Sequence, residues 1–199
     1  LSRQVRLTVR CDPSLANLCD EVRGIWLEEL SRVRRELVYD VEEDSDAFDT
    51  QLTLRLFESQ RYSPWSLRER RRHEVVVPVL NEFREPVLDE AGRPRSRTVQ
   101  AYSAIEVASR EVTVNAELDW EDLRSKSSKV KRFTSKETQR SDVEFLQWKG
   151  DDRAMASSGL LDRVSKSRKD PVSRALLRRR CVSSVVESLF RQWIKEIDQ

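Results

Sequence analysis

Glycine is scarce in this 199-residue sequence, at 4 residues, and proline contributes only 6. So few turn-formers argue against low-complexity linkers and against turn-dense β-sandwiches. There is no G-x-G-x-x-G and no G-x-x-x-x-G-K-[ST], so neither glycine-based phosphate cradle can be built. The G-x-S-x-G nucleophile elbow is missing too. His73 is the only histidine, and it follows Arg70-Arg71-Arg72, cations that disfavour a further positive charge. A structural or surface role is expected for it. The cysteines, Cys11, Cys19 and Cys181, cannot all pair and form no dense disulfide framework, which favours a reducing compartment. Cys11 and Cys19 are 8 apart rather than at the close spacing of zinc pairs, and Cys19 reads as a small core residue. The segment Asp44-Ser45-Asp46-Ala47-Phe48-Asp49 starts like a calcium loop but lacks the central glycine and the distal glutamate. No metal, cofactor or catalytic constellation is expected.

Long apolar runs are missing as well. The longest uncharged stretch, Thr98–Ile105, is far short of the ~18 residues of a membrane helix, so no membrane insertion is expected. No signal-peptide pattern is visible. Because the chain opens on Leu1 rather than Met, import into an organelle with loss of a leader is the expectation, mitochondrial first and cytoplasmic otherwise.

Charge is abundant, at 36% of residues, yet nearly balanced at +2 overall. The balance hides a split. Residues 1–120 hold 18 arginines and no lysine against 23 acids, a net of −5; residues 121–199 hold 19 bases against 12 acids, a net of +7. Such asymmetry marks a chain that meets a polyanion or an acidic partner at one end. The bases concentrate over Arg124–Arg140 and Arg163–Arg180, and the opposing acids cluster over Glu42–Asp49.

Apolar spacing supplies the elements. Val5-Arg6-Leu7-Thr8-Val9 alternates as a half-buried strand does. Asp12-Pro13 then starts a helix expected to reach about Val38, with Leu15, Leu18, Val22, Trp26, Leu30, Val33 and Leu37 along one face. Leu52, Leu54 and Leu56 mark a second strand. Ser63-Pro64-Trp65-Ser66 predicts a short helical turn through Arg72. Glu74–Asn81 is β-rich, with Pro78 pointing to an edge or a bulge. A hairpin loop is expected at Asp89–Pro94, and Val107–Val114 adds a further β segment. From Asp119 onward short helices are predicted at Asp119–Asp122, at Asp142–Lys149 and around Leu160-Leu161, with a mobile Ser/Lys-rich stretch over 125–136. Asp170-Pro171 then opens a final helix striped by Val172, Ala175, Leu176, Val182, Val186, Leu189, Trp193 and Ile197, with Arg179 falling inside the stripe. No repeat with a period of 20–50 residues is present.

The fold class expected is α+β: an N-terminal strand and long helix with a small antiparallel sheet over 1–118, followed by a helical C-terminal part. That part, 119–199, is a basic extension ending in a long amphipathic helix. Its candidate polyanion- or partner-binding residues are Lys129, Lys131, Arg132 and Phe133, then Arg174, Arg178, Arg179 and Arg180. Arginine forks match phosphate and carboxylate geometry, and Phe133 offers a ring for stacking on a base. The net charge of +2 is nevertheless well below that of a dedicated nucleic-acid module. The function expected is that of a non-catalytic structural subunit of a large assembly, foremost a ribonucleoprotein such as an organellar (mitochondrial) ribosome. Its partners would be protein subunits and RNA. The alternatives are a soluble accessory subunit of a membrane-bound respiratory or ATP synthase complex, and a small carboxylate-dependent enzyme.

Overall fold

The computed structural model describes residues 5–33, 50–123, 130–162 and 167–197. Strand β1 (Val5–Cys11) leads through a 3-10 turn (Pro13–Leu18) into helix α1 (Cys19–Val33). Three long strands follow: β2 (Thr50–Pro78), β3 (Ser96–Asp122) and β4 (Val130–Gly150). A short helix α2 (Asp152–Ala156) and the long helix α3 (Arg174–Ile197) complete the order. The sheet runs β1-β2-β3-β4 and is mixed. β1 lies parallel to the start of β2, from Val5 opposite Thr50 to Cys11 opposite Leu56.

This corrects the expected class. Strand outweighs helix, 53% to 29%, and the sheet occupies the middle of the chain instead of preceding a helical C-terminal part. The helical turn expected through Arg72 lies inside β2, Asp119–Asp122 closes β3, and Asp142–Lys149 lies within β4. Around Leu160-Leu161 the backbone turns without forming a helix, and the short helix sits earlier, at α2. α3 is capped by Ser173, whose Oγ accepts from Leu176 N at 3.3 Å, and not by Asp170. The acidic segment 42–49 and the expected end of the first helix at Val38 lie outside the described residues.

The described chain divides into two compact units. The first draws on Leu1–Arg61, Arg110–Arg140 and Val172–Gln199. Its core follows from alternation on the strands: Leu52, Leu54 and Leu56 of β2 are buried, as are Val112, Val114, Ala116 and Leu118 of β3. α1 contributes Val22 and Trp26, and α3 contributes a stripe through Leu177, Cys181, Val185, Leu189 and Trp193. That stripe passes Leu177 and Cys181 rather than Ala175 and Leu176, which leaves Arg179 outside it. Trp26, Phe190 and Trp193 cluster, with ring centroids 5.1 to 5.9 Å apart.

The second unit comprises Tyr62–Ser109 and Ser141–Pro171. Here the buried positions of β3 are Val99, Ala101, Ser103, Ile105 and Ala108, so its alternation changes phase between Ile105 and Ala108. Leu146 of β4 and Ala154 and Met155 of α2 close this core. Gly150 (φ 126) joins β4 to α2 where a Cβ would lie 2.5 Å from the Gln100 carbonyl oxygen, so only glycine fits. Asp151 caps α2, and its hydrogen bonds from the Arg153 side chain and backbone hold the carboxyl down at about 2.

Between β2 and β3 lies a tandem repeat far shorter than any domain-scale period: Val79-Leu80-Asn81-Glu82-Phe83-Arg84-Glu85-Pro86, then Val87-Leu88-Asp89-Glu90-Ala91-Gly92-Arg93-Pro94. The copies fold alike. Asn81 Oδ1 accepts from Phe83 N and Glu85 N; Asp89 Oδ1 accepts from Ala91 N and Arg93 N. The corresponding residues Arg84 (φ 64) and Gly92 (φ 75) both adopt the left-handed conformation. Val79 N donates to Arg95 O, Arg95 N to Val87 O, and Val87 N to Val79 O, a closed ring that seats both lobes.

Cys19, expected as a small core residue, is instead bonded to Cys11, with Cα atoms 6.2 Å apart. The bond ties the end of β1 to the start of α1. Closing so short a loop contributes about 2.5 kcal/mol in the chain-entropy account. Reductant, or Cys11→Ser with Cys19→Ser, is therefore expected to lower the unfolding free energy by about that amount in urea titration. An unchanged midpoint would show that the bond constrains nothing.

Candidate polyanion-binding site

The basic residues singled out in the C-terminal third are largely engaged by the chain's own acids. Arg132 donates through Nε and Nη2 to the two oxygens of Asp119, at 2.6 and 3.2 Å, and Arg55 Nη1 reaches the same carboxylate at 2.8 Å. The Arg132 hydrogen bond, with the nearby Arg55 charge, holds the Asp119 carboxyl below its usual range. Lys131 pairs with Glu196. Phe133 is buried in the first unit's core, not on the surface. Arg174 and Arg178 converge on Glu58, and Arg179 donates to Glu21 at 2.6 Å. Arg180 is exposed and has no partner among the described residues, while Lys129 lies outside them.

A different basic surface is left open, on the second unit. In β3, Ala101, Ser103 and Ile105 are buried while Tyr102 is 54% exposed, so even-numbered positions face outward. In β2, Val77 is buried and Val76 exposed, which gives Arg70 and Arg72 the outward parity. In β4, buried Leu146 gives Gln147 and Lys149 the outward parity. These residues and Ala104, with the intervening Arg71 and Trp148 of opposite parity, border an open trough of about 400 Å³. Ala104 is the smallest of them and leaves room between the β2 and β4 side chains. Under the trough, His73 Nε2 and Ser103 Oγ share a hydrogen bond of 2.7 Å, which fixes β2 to β3 from the inner side.

The trough's electrostatics are uneven. Arg71 pairs with Glu69 and Arg72 with Glu74, side-chain pairs that are exposed and worth little in water. Arg70 and Lys149 have no acidic partner among the described residues. A multivalent anion would therefore meet two uncompensated cations, and in Arg72 a third whose present partner is easily exchanged. Tyr102 presents aromatic surface beside them. Among the described residues no group of His, Cys, Asp and Glu is placed to hold a metal ion.

No family model and no curated protein matches the chain. The trough was hidden in the sequence because Ser63–Arg72 reads as a helical turn, on which Arg70, Arg71 and Arg72 point in different directions. Read as a strand, Arg70-x-Arg72 places both guanidinium groups on one face. That alternation, followed by Tyr102-x-Ala104 and Gln147-x-Lys149 on the neighbouring strands, is the signal.

Proposed function

We propose that this chain is a non-catalytic subunit of a larger assembly, a ribonucleoprotein such as an organellar ribosome being the leading class. It is held there partly through the outward trough of its second unit by a partner of repeated negative charge. One observation carries the reading: Arg70 and Lys149 line a cavity of about 400 Å³ with exposed Tyr102 and have no acid to neutralise them among the described residues. The arginines of α3, by contrast, are mostly consumed internally, so the binding surface shifts from α3 to the outward face of β2 and β4.

The test is retention of the tagged full chain on its partners across a salt gradient. Retention through phosphates should fall steeply as salt rises, and Arg70→Ser with Lys149→Ser should weaken it at low salt without changing the fold by circular dichroism. Retention insensitive to both salt and the double substitution would overturn the reading. A protein-only interface, as in an accessory subunit of a membrane-bound complex, is favoured by the tandem lobes. There Leu80, Phe83 and Leu88 are 47%, 75% and 55% exposed. Among the described residues no helix is long and apolar enough to cross a membrane.

A further inference from the structure

We infer that the trough's occupant is a single, unpaired polynucleotide strand, with Tyr102 as the stacking platform for a base. This deepens the polyanion reading above and rests on it. Three features of the site select this ligand among anions. The first is mixed chemistry: cations on both sides, from Arg70 and Arg72 of β2 and Lys149 of β4, flank an exposed aromatic ring on β3. An acidic peptide would use the cations and leave Tyr102 idle, whereas an unpaired strand supplies phosphates and flat rings together.

The second is size. About 400 Å³ is at the small end of ligand sites, the size of a nucleotide or two. A duplex keeps its bases stacked inside, out of reach of Tyr102. The third is the polar complement. Gln147 offers an amide that both donates and accepts, able to meet a base edge or a 2′-hydroxyl. Few other polar side chains line the trough, so sequence preference should be weak, the usual result when stacking and charge do the binding.

The experiment is fluorescence anisotropy with the full chain and labelled probes: a 12-nucleotide oligo-uridylate, the corresponding oligo-thymidylate, a 12-base-pair RNA duplex, and an oligo-glutamate peptide. The single strands should bind and the duplex and peptide should bind at least tenfold more weakly. Tyr102→Ala should cost roughly tenfold against the single strand while Tyr102→Phe retains binding, since only the ring is needed. Arg70→Ser and Lys149→Ser should each flatten the salt dependence, by about 0.7 in slope for every phosphate no longer neutralised. Uridylate bound more tightly than thymidylate identifies the strand as RNA, and equal binding supports the shared base-and-phosphate chemistry. Duplex or peptide binding as tight as the single strand, or indifference to Tyr102→Ala, overturns the inference. If that tighter binding still needs Arg70 and Lys149, the polyanion reading survives it. If no probe binds, both fall.

Discussion

Trp193→Ala is expected to lower the unfolding free energy by about 3–5 kcal/mol, the range for truncating a large buried aromatic. Trp193 is fully buried in the first unit's core, 5.5 Å from the Trp26 ring and 5.9 Å from Phe190. It therefore joins α3 to α1 through ring packing as well as through area removed from water. Truncation would leave a cavity lined by two other aromatic side chains, which cannot collapse into it without abandoning their own neighbours. Trp193→Phe should cost much less, because a ring remains in place. Urea denaturation followed by far-ultraviolet circular dichroism measures both. A loss below about 1 kcal/mol for the alanine variant would mean that α3 is not packed on the core.

How far the sequence foretold this arrangement depends on the range of the interaction that fixes each element. Helix α1 and the Leu52-Leu54-Leu56 strand are legible because their apolar spacing is local: Val22 and Trp26 are buried as the helical period requires, although the expected start at Pro13 is a 3-10 turn that buries Leu15. The long strands are not. Residues 63–72 are rich in arginine and serine and carry Ser63-Pro64 and the Ser66/Glu69 spacing of a helix cap, yet they extend as part of β2. Pairing with β3, whose matching residues lie tens of positions away, outweighs that local preference. The same distance hides the ion pairs. Seen locally, Arg178-Arg179-Arg180 is a cluster of like charge awaiting a partner, but its acids arrive from Glu58 and Glu21, far earlier in the chain. The trough was concealed twice, first by the helical reading of β2 and then because its members sit on separate strands.

Glu58→Ala should cost about 3 kcal/mol, the second of the large effects, since removing one partner from a buried pair strands the other. The Glu58 side chain is 1% exposed, Arg174 Nε donates to its Oε1 at 2.9 Å, and Arg178 Nε lies 3.0 Å from its Oε2. This carboxylate sits between the two guanidinium groups, and its hydrogen bond raises the Arg174 pKa above the usual arginine value. Without it two cations one turn apart on α3 face each other, and Arg178, at 17% side-chain exposure, has little water to turn to. Arg174→Met should cost less, because Arg174 is the more exposed partner and Glu58 keeps Arg178. A double-mutant cycle between Glu58 and Arg174 isolates the coupling. Arg180→Ser, at an exposed position, should stay within about 0.5 kcal/mol of the unaltered protein. If Glu58→Ala is equally silent, the α3 arginines do not need the carboxylate for folding and are free to serve a partner. A large loss there beside a silent Arg180 assigns Arg174 and Arg178 to the fold, and leaves the outward face of β2, β3 and β4 as the surface proposed for an anion.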